Sequence, residues 1–253
     1  MRRMAKRMQE SQFTVIAVGG SLIVPYLTDT DGIDVPFLKA FRRLLVREMK
    51  KNRPVLPRGR QFIIVPGGGK TCRVYQKTGR QIVKMSNTDL DWIGVHSTRL
   101  NAQLLRTIFA KEAHPVVIDH DPSAKEVVQL KRTKKKLFIA SGWKPGWSTD
   151  YIAMRLAQKF GAKEMVDAGD IDFVYDKDPK KFEDAKPLEK LSWKEYRKLI
   201  PSKWTPGLAS PIDPVAARLA EKARIQAKII KGTNLENMKK AIEGKEFVGT
   251  VIH

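Results

Sequence analysis

Cysteine is nearly absent. One residue, Cys72, stands in 253, so no intramolecular disulfide can form, and the chain suits a reducing compartment such as the cytoplasm. Cys72 itself lies in an amphipathic stretch and reads as packing. Histidine is also scarce, with four in the chain. His96 has no neighbouring ligand at metal spacing and reads as structural or exposed. With so few histidines, the usual general base and the usual partner of a nucleophilic serine or cysteine are both missing. No apolar run is long enough to span a membrane. A basic start, Met1 to Met8, followed by the apolar run Phe13 to Val24 imitates a secretory leader. Gln9 to Gln12 separate the two, Gly19-Gly20-Ser21 interrupts the apolar run and no small-residue cleavage site follows, so residues 1–12 are expected to be a basic tail.

Acidic residues are the minority charge. Against 48 Lys and Arg there are 27 Asp and Glu, a formal net charge of +21. Such an excess attracts anionic small molecules and polyanions without specifying which. Nucleic-acid binding would rest on charge alone, because the basic residues are spread along the chain. Denser clusters occur only at Arg2 to Arg7 and Lys131 to Lys136, and no nucleic-acid motif is present. With 42% hydrophobic residues and no long polar linker, the chain reads as a single α/β domain over 13–253.

Glycine is used at turns that follow apolar strands. Phe13 to Val18 is a buried-strand pattern ending in Gly19-Gly20-Ser21. Gln61 to Val65 is another, running into Pro66-Gly67-Gly68-Gly69-Lys70-Thr71 and a helix through Arg73 and Tyr75. Glycines at the C-terminal ends of strands let backbone N–H groups approach a phosphate, and open α/β sheets bind ligands there. The second turn is not a Walker A loop, since Ile64 stands where that motif needs glycine. Nor is it a dinucleotide fingerprint, since Cys72 occupies the third glycine position.

Further strands and helices alternate down the chain. Val35 to Lys51 reads as an amphipathic helix, Asp89 to Ala113 as helical, and Pro115 to Asp119 and Leu137 to Ala140 as short strands. The Gly/Pro/Trp loop Gly142 to Trp147 leads into Ser148-Thr149-Asp150 and a helix to Phe160, then a strand over Glu164 to Ala168. Asp170 to Lys181 gathers Asp170, Asp172, Asp176 and Asp178 around Phe173 and Tyr175, a set able to grip ribose, base and hydrated Mg²⁺. Taken alone, it is equally an acidic turn in water. Trp193 to Ile200 reads as a helix, Asp213-Pro214 as the start of another, Ala227 to Ile230 and Val248 to Ile252 as strands, and Leu235 to Ile242 as a helix.

The segments Ser148-Thr149-Asp150, Ile171-Asp172-Phe173-Val174-Tyr175-Asp176-Lys177-Asp178-Pro179-Lys180, Gly67-Gly68-Gly69 with Arg73, and Asp91-Trp92-Ile93-Gly94 followed by Thr98-Arg99-Leu100-Asn101-Ala102 resemble the amino acid kinase family. The similarity is greatest to its UMP kinases, and it runs from Phe13 to the C-terminus. It implies a three-layer α/β/α sandwich around a mainly parallel sheet, with an acceptor half at about 13–130 and an ATP half at about 137–253. By the same resemblance Gly67, Gly68, Gly69, Arg73, Asp91, Gly94, Thr98, Ser148 and Thr149 would bind UMP. Gly19, Gly20, Asp172, Tyr175, Asp178 and Lys181 would bind ATP, and Gly20, Ser21 and Asp150 would serve transfer, with Mg²⁺ and without an assigned metal ligand. Homo-oligomers, hexamers in the family, are implied too.

The chain departs from the family pattern at two positions. Phe173 replaces a glycine, and Ala17 replaces a lysine on the first strand, a lack shared by archaeal-type UMP kinases. Lys70 or Lys144 would supply the missing charge. Other small-molecule kinases of the family, and a non-catalytic nucleotide- or oxyanion-binding relative, are the alternatives.

Overall fold

The computed structural model describes residues 12–26, 32–51, 56, 59–179, 181–205 and 210–253. All of the expected basic tail except Gln12, together with Lys180 and part of the Pro201–Pro211 loop, lies outside them.

In chain order the elements begin with β1 (Phe13–Val18), α1 (Gly20–Ile23), α2 (Val35–Lys50), β2 (Gln61–Pro66), α3 (Gly69–Ile82) and α4 (Asn87–Ile108). There follow α5 (Ala124–Arg132), β3 (Leu137–Ile139), α6 (Thr149–Phe160), β4 (Glu164–Gly169), β5 (Val174–Tyr175) and β6 (Pro187–Leu188). The chain ends with β7 (Lys190–Leu191), α7 (Trp193–Leu199), α8 (Pro214–Ala223), β8 (Gln226–Lys231), α9 (Leu235–Glu243) and β9 (Thr250–Ile252).

Strands from both halves of the chain form one seven-stranded sheet in the order β3-β2-β1-β4-β8-β9-β7. Every pairing in it is parallel except β8 with β9. All six residues of β1 and of β2 are buried, because central parallel strands are covered on both faces and need apolar side chains on each. One face carries Val15, Ala17, Met165 and Ile229 against α6, α7 and α8; the other carries Ile16, Val18, Val166 and Ile230 against α1, α2, α4 and α9. The three-layer α/β/α sandwich with a mainly parallel sheet is therefore present.

Local chemistry accounts for the helix ends nearest the sheet's C-terminal edge. Ser148 caps α6, accepting the Tyr151 N–H at 3.0 Å, and Gly161, at φ 74°, closes it in the left-handed conformation that glycine tolerates. Asp213 caps α8 through the N–H groups of Val215 and Ala216, with Pro214 at the first helical position.

Three sequence expectations need correction. Pro115 to Asp119 is not a strand; Ile118 meets the sheet edge in an isolated bridge to Ala140. Pro115 has no N–H to give to a ladder. α5 was not foreseen, although its capping box, Ser123 with Glu126, is written in the sequence. The last strand starts at Thr250, two residues later than Val248.

The turns after β1 and β2 approach each other backbone to backbone. A Cβ on Gly20 would lie 2.0 Å from the Gly69 nitrogen, whereas one on Gly169 would meet nothing within 4 Å. Gly20→Ala is therefore expected to destabilise the chain by about 1–3 kcal/mol through overpacking and to lower Tm by several degrees. Gly169→Ala should stay within about 0.5 kcal/mol of the parent chain in the same melting experiment.

Candidate functional site

The two glycine turns meet at the C-terminal ends of β1 and β2. Gly19 donates to the Ala168 carbonyl and Gly67 to that of Val18, each at 2.8 Å, and the Lys70 N–H reaches the Val24 carbonyl at 3.0 Å. Asn101, from buried positions on α4, donates to the Gly67 carbonyl at 2.8 Å. The turn is thus held by neighbours on both sides. Gly69 takes φ +67°, and a Cβ there would sit 2.5 Å from the Gly20 oxygen, so both conformation and space demand glycine.

Beside these turns lies an open cavity of about 240 Å³. It brings together Gly68, Asp91, Gly94, Thr98, Lys144, Ser148, Thr149 and Asp150, all of them candidates from sequence. The loop Gly142 to Trp147 forms one wall and is pinned along its length. Gly142 donates to the Thr98 hydroxyl at 2.7 Å, Gly146 donates to Asp91 at 2.8 Å, and the Trp143 indole donates to the Ile118 carbonyl at 3.1 Å. Arg99 reaches the carbonyls of Gly142 and Trp143 at 3.3 and 3.4 Å. Lys144 extends from this fixed loop with its ammonium 4.3 Å from the centre of the Trp147 ring, a cation–π contact that limits its wandering. Burial raises the Asp91 carboxyl above its ordinary range, against the opposing pull of the Gly146 N–H. Cys72 also lines the cavity, and burial raises its thiol.

Deeper in, the N-termini of α6 and α8 converge. Ser148 donates to the carboxylate of Asp213, joining the two caps. Asp150 takes the backbone N–H of Asp213, yet burial and the neighbouring Asp167 and Asp213 push its carboxyl well above the ordinary range. Asp167, on β4, is raised to about 7 by burial and by Asp170.

The remaining candidates lie outside the cavity. Ser21 donates to Asp170 at 2.6 Å, tying the first glycine turn to the segment after β4. Gly19 and Gly20 are beside it in the chain. Lys70 and Arg73 are both exposed, on the first turns of α3. Tyr175 is in β5, its ring meeting that of Phe173 edge-on at 6.4 Å. Asp172 pairs with Lys231 at 3.9 Å, and Asp178 with Lys181 at 4.0 Å. Among the described residues no group of three or more His, Cys, Asp or Glu is placed to hold a metal ion.

Sequence reasoning missed Asp167, Trp147 and Trp204. The last two line the cavity, but a tryptophan in a loop carries no spacing signal. Asp167 did leave a trace, a lone carboxyl inside the apolar run Met165 to Ala168.

Residues 12–231 match the model of the amino acid kinase family. The chain is 32% identical over 241 residues to the uridylate kinase of Methanocaldococcus jannaschii, covering 94% of this chain and 98% of that protein. It is 31% identical over 239 residues to the uridylate kinase of Thermococcus kodakarensis, with the same coverage. The crystal structure of uridylate kinase from Archaeoglobus fulgidus superposes with a TM-score of 0.75 at 30% identity, covering 95% of this chain and 99% of that one.

Ser148 supports both converging helices, so its removal has a measurable cost. Ser148→Ala should lower stability by about 1 kcal/mol, seen as an earlier urea midpoint with an unchanged slope, while Ser148→Thr should recover most of the loss.

Proposed function

The chain belongs to the amino acid kinase family, and on that premise we propose that it is a UMP kinase, moving the γ-phosphoryl group of ATP to UMP to give ADP and UDP. Full-length similarity to uridylate kinases supports this. The observation in the molecule that carries it is the meeting of two glycine turns with the N-terminus of α6 beside one cavity, an arrangement made for anions. Phosphoryl transfer asks for positioning and charge neutralisation more than for covalent help. A phosphate acceptor, with a second pKa of about 6, is largely dianionic near neutral pH and needs no strong base.

In this reading Gly67, Gly68, Gly69 and Arg73 hold the UMP phosphate. Asp91 keeps one carboxylate oxygen on Gly146 and offers the other to the ribose, while Gly94, Thr98, Ser148 and Thr149 complete the acceptor wall. Gly19, Gly20 and Ser21 face the transferred phosphoryl group, and Asp150 organises the junction between donor and acceptor. Asp172, Tyr175, Asp178 and Lys181 lie over ATP. Mg²⁺ would come with ATP, and the carboxylates of the Asp170 to Asp178 segment could hold it through water. Its charge offsets the repulsion between the two anions. Of the two lysines able to replace the cation missing at Ala17, both exposed, Lys144 is favoured because it lines the cavity with Asp150 and Lys70 does not.

Assembly with further copies of the chain is part of the same proposal, as is a cytoplasmic setting. It is supported by α3, none of whose residues is buried, and by Tyr75, Ile82, Val83, Trp92 and Leu100, all exposed on or beside α3 and α4. Light scattering on the purified chain should give a mass well above one protomer's 28.7 kDa.

A coupled ADP-release assay offering UMP, CMP, AMP and isopentenyl phosphate should show turnover confined to UMP. Lys144→Ala should cut that turnover on the order of 10²-fold and Lys70→Ala far less. Full turnover in Asp150→Asn, with the fold intact, would remove Asp150 from the mechanism.

A further inference from the structure

The groove between α2 and α9 takes no part in the transfer site. It encloses about 380 Å³ and shares no residue with the cavity beside the glycine turns. Ala40, Leu44 and Leu235 give it an apolar part, while Arg43, Arg47, Lys51 and Lys239 bring cations to it. An apolar lining on which a few charged groups converge is the ordinary form of a small-ligand site.

The charges in the groove do not balance. Glu48, a buried acid of α2, holds Lys51 together with Glu243, and Glu236 holds Lys239 at 3.2 Å. Those carboxylates are engaged. Arg43 and Arg47 are exposed and, among the described residues, neither has an ion pair or a side-chain hydrogen bond. They stand one turn apart on α2, with Cβ atoms about 5–6 Å from each other, and Lys39 lies one turn before them. Like charges stacked at that spacing weaken a helix, so the row works against α2, and the described residues supply it no counter-charge.

Guanidinium forks match phosphate oxygens in pairs, and an apolar wall strengthens the attraction by excluding water. One phosphate fills one fork, whereas a run of them meets both. We propose that the groove between α2 and α9 is a second anion site, separate from the catalytic cavity, which takes a run of adjacent phosphate groups along Arg43 and Arg47 with Lys239 facing them from α9. Inorganic polyphosphate and the phosphate tail of a nucleotide share this chemistry. The inference goes beyond the kinase reading and does not depend on it.

The test reads single residues in the full chain, so that phosphate bound in the catalytic cavity does not confuse it. Exposed arginines react with phenylglyoxal, and mass spectrometry follows each one. Inorganic tripolyphosphate at about ten times its Kd should slow the reaction of Arg43 and Arg47 by about tenfold. Arg132, exposed in the basic cluster Lys131 to Lys136, should keep its free rate. Acetylation of Lys239 gives the second readout. The probe should slow it in the parent and in Arg132→Ala/Lys134→Ala, but not in Arg43→Ala/Arg47→Ala, although both pairs remove the same charge from exposed positions. ATP in a parallel series distinguishes the two sources. Protection by both probes places recognition in the phosphate run, and protection by ATP alone assigns the groove to nucleotides. Protection of Arg43 and Arg47 by neither probe, equal protection of Arg132, or Lys239 protection that survives Arg43→Ala/Arg47→Ala would overturn the proposal.

Discussion

Two backbones must pass with no side chain between them. The turn after β1 crosses the turn after β2 so closely that a Cβ on Gly20, Gly67 or Gly69 would lie within 2.7 Å of the opposing backbone, and the geometry of the site follows from that crossing. It brings the ends of two neighbouring parallel strands and the start of α3 to one place. Asn101 and the Val18 carbonyl then lock the second turn in position. Flexible glycines are made rigid by what surrounds them, which is the condition for stabilising charge without reorganisation.

Around this crossing the charges are unevenly distributed. The chain as a whole is strongly basic, which favours encounter with nucleotides, yet the buried polar centre behind the site is acidic. Helix starts reconcile the two in part. The N-termini of α6 and α8 converge there, and α8 accepts the Asp213 carboxylate as its cap, whereas burial and the neighbouring carboxyls push Asp150 well above the ordinary range. Asp167, on β4, has no helix end to serve it and is raised as well. The cation missing at Ala17 sharpens the contrast, because the strand pair that could have joined a lysine to an aspartate instead joins Ala17 to Asp167.

The loop beside the cavity illustrates how an irregular segment becomes rigid. Gly142 to Trp147 has no regular structure, but Thr98, Asp91, Arg99 and the Ile118 carbonyl hold it by hydrogen bonds to α4 and to the sheet edge. Polar residues of α4 that look ordinary by spacing are thus the struts of the loop. Thr98 is buried with its hydroxyl both donating to Val95 and accepting from Gly142, and such a fully satisfied group specifies one arrangement rather than several.

The linear chain by itself determined the central strands, the glycine turns, the helix starting after Ser148 and the cap of α8. These are local properties, set by burial pattern, backbone freedom and hydrogen bonds between near neighbours. Even the error at Pro115 to Asp119 was local, an apolar run whose proline denies it a ladder. Tertiary structure alone decided what residues far apart do to one another. It put Lys144 rather than Lys70 in the cavity with Asp150, tied Asp91 to Gly146, and set Asp167 among the carboxyls of two helix starts. The physical reason is that charge, burial and hydrogen-bond supply depend on distances through space, and residues 17, 150, 167 and 213 become neighbours only when the sheet and its helices close around them.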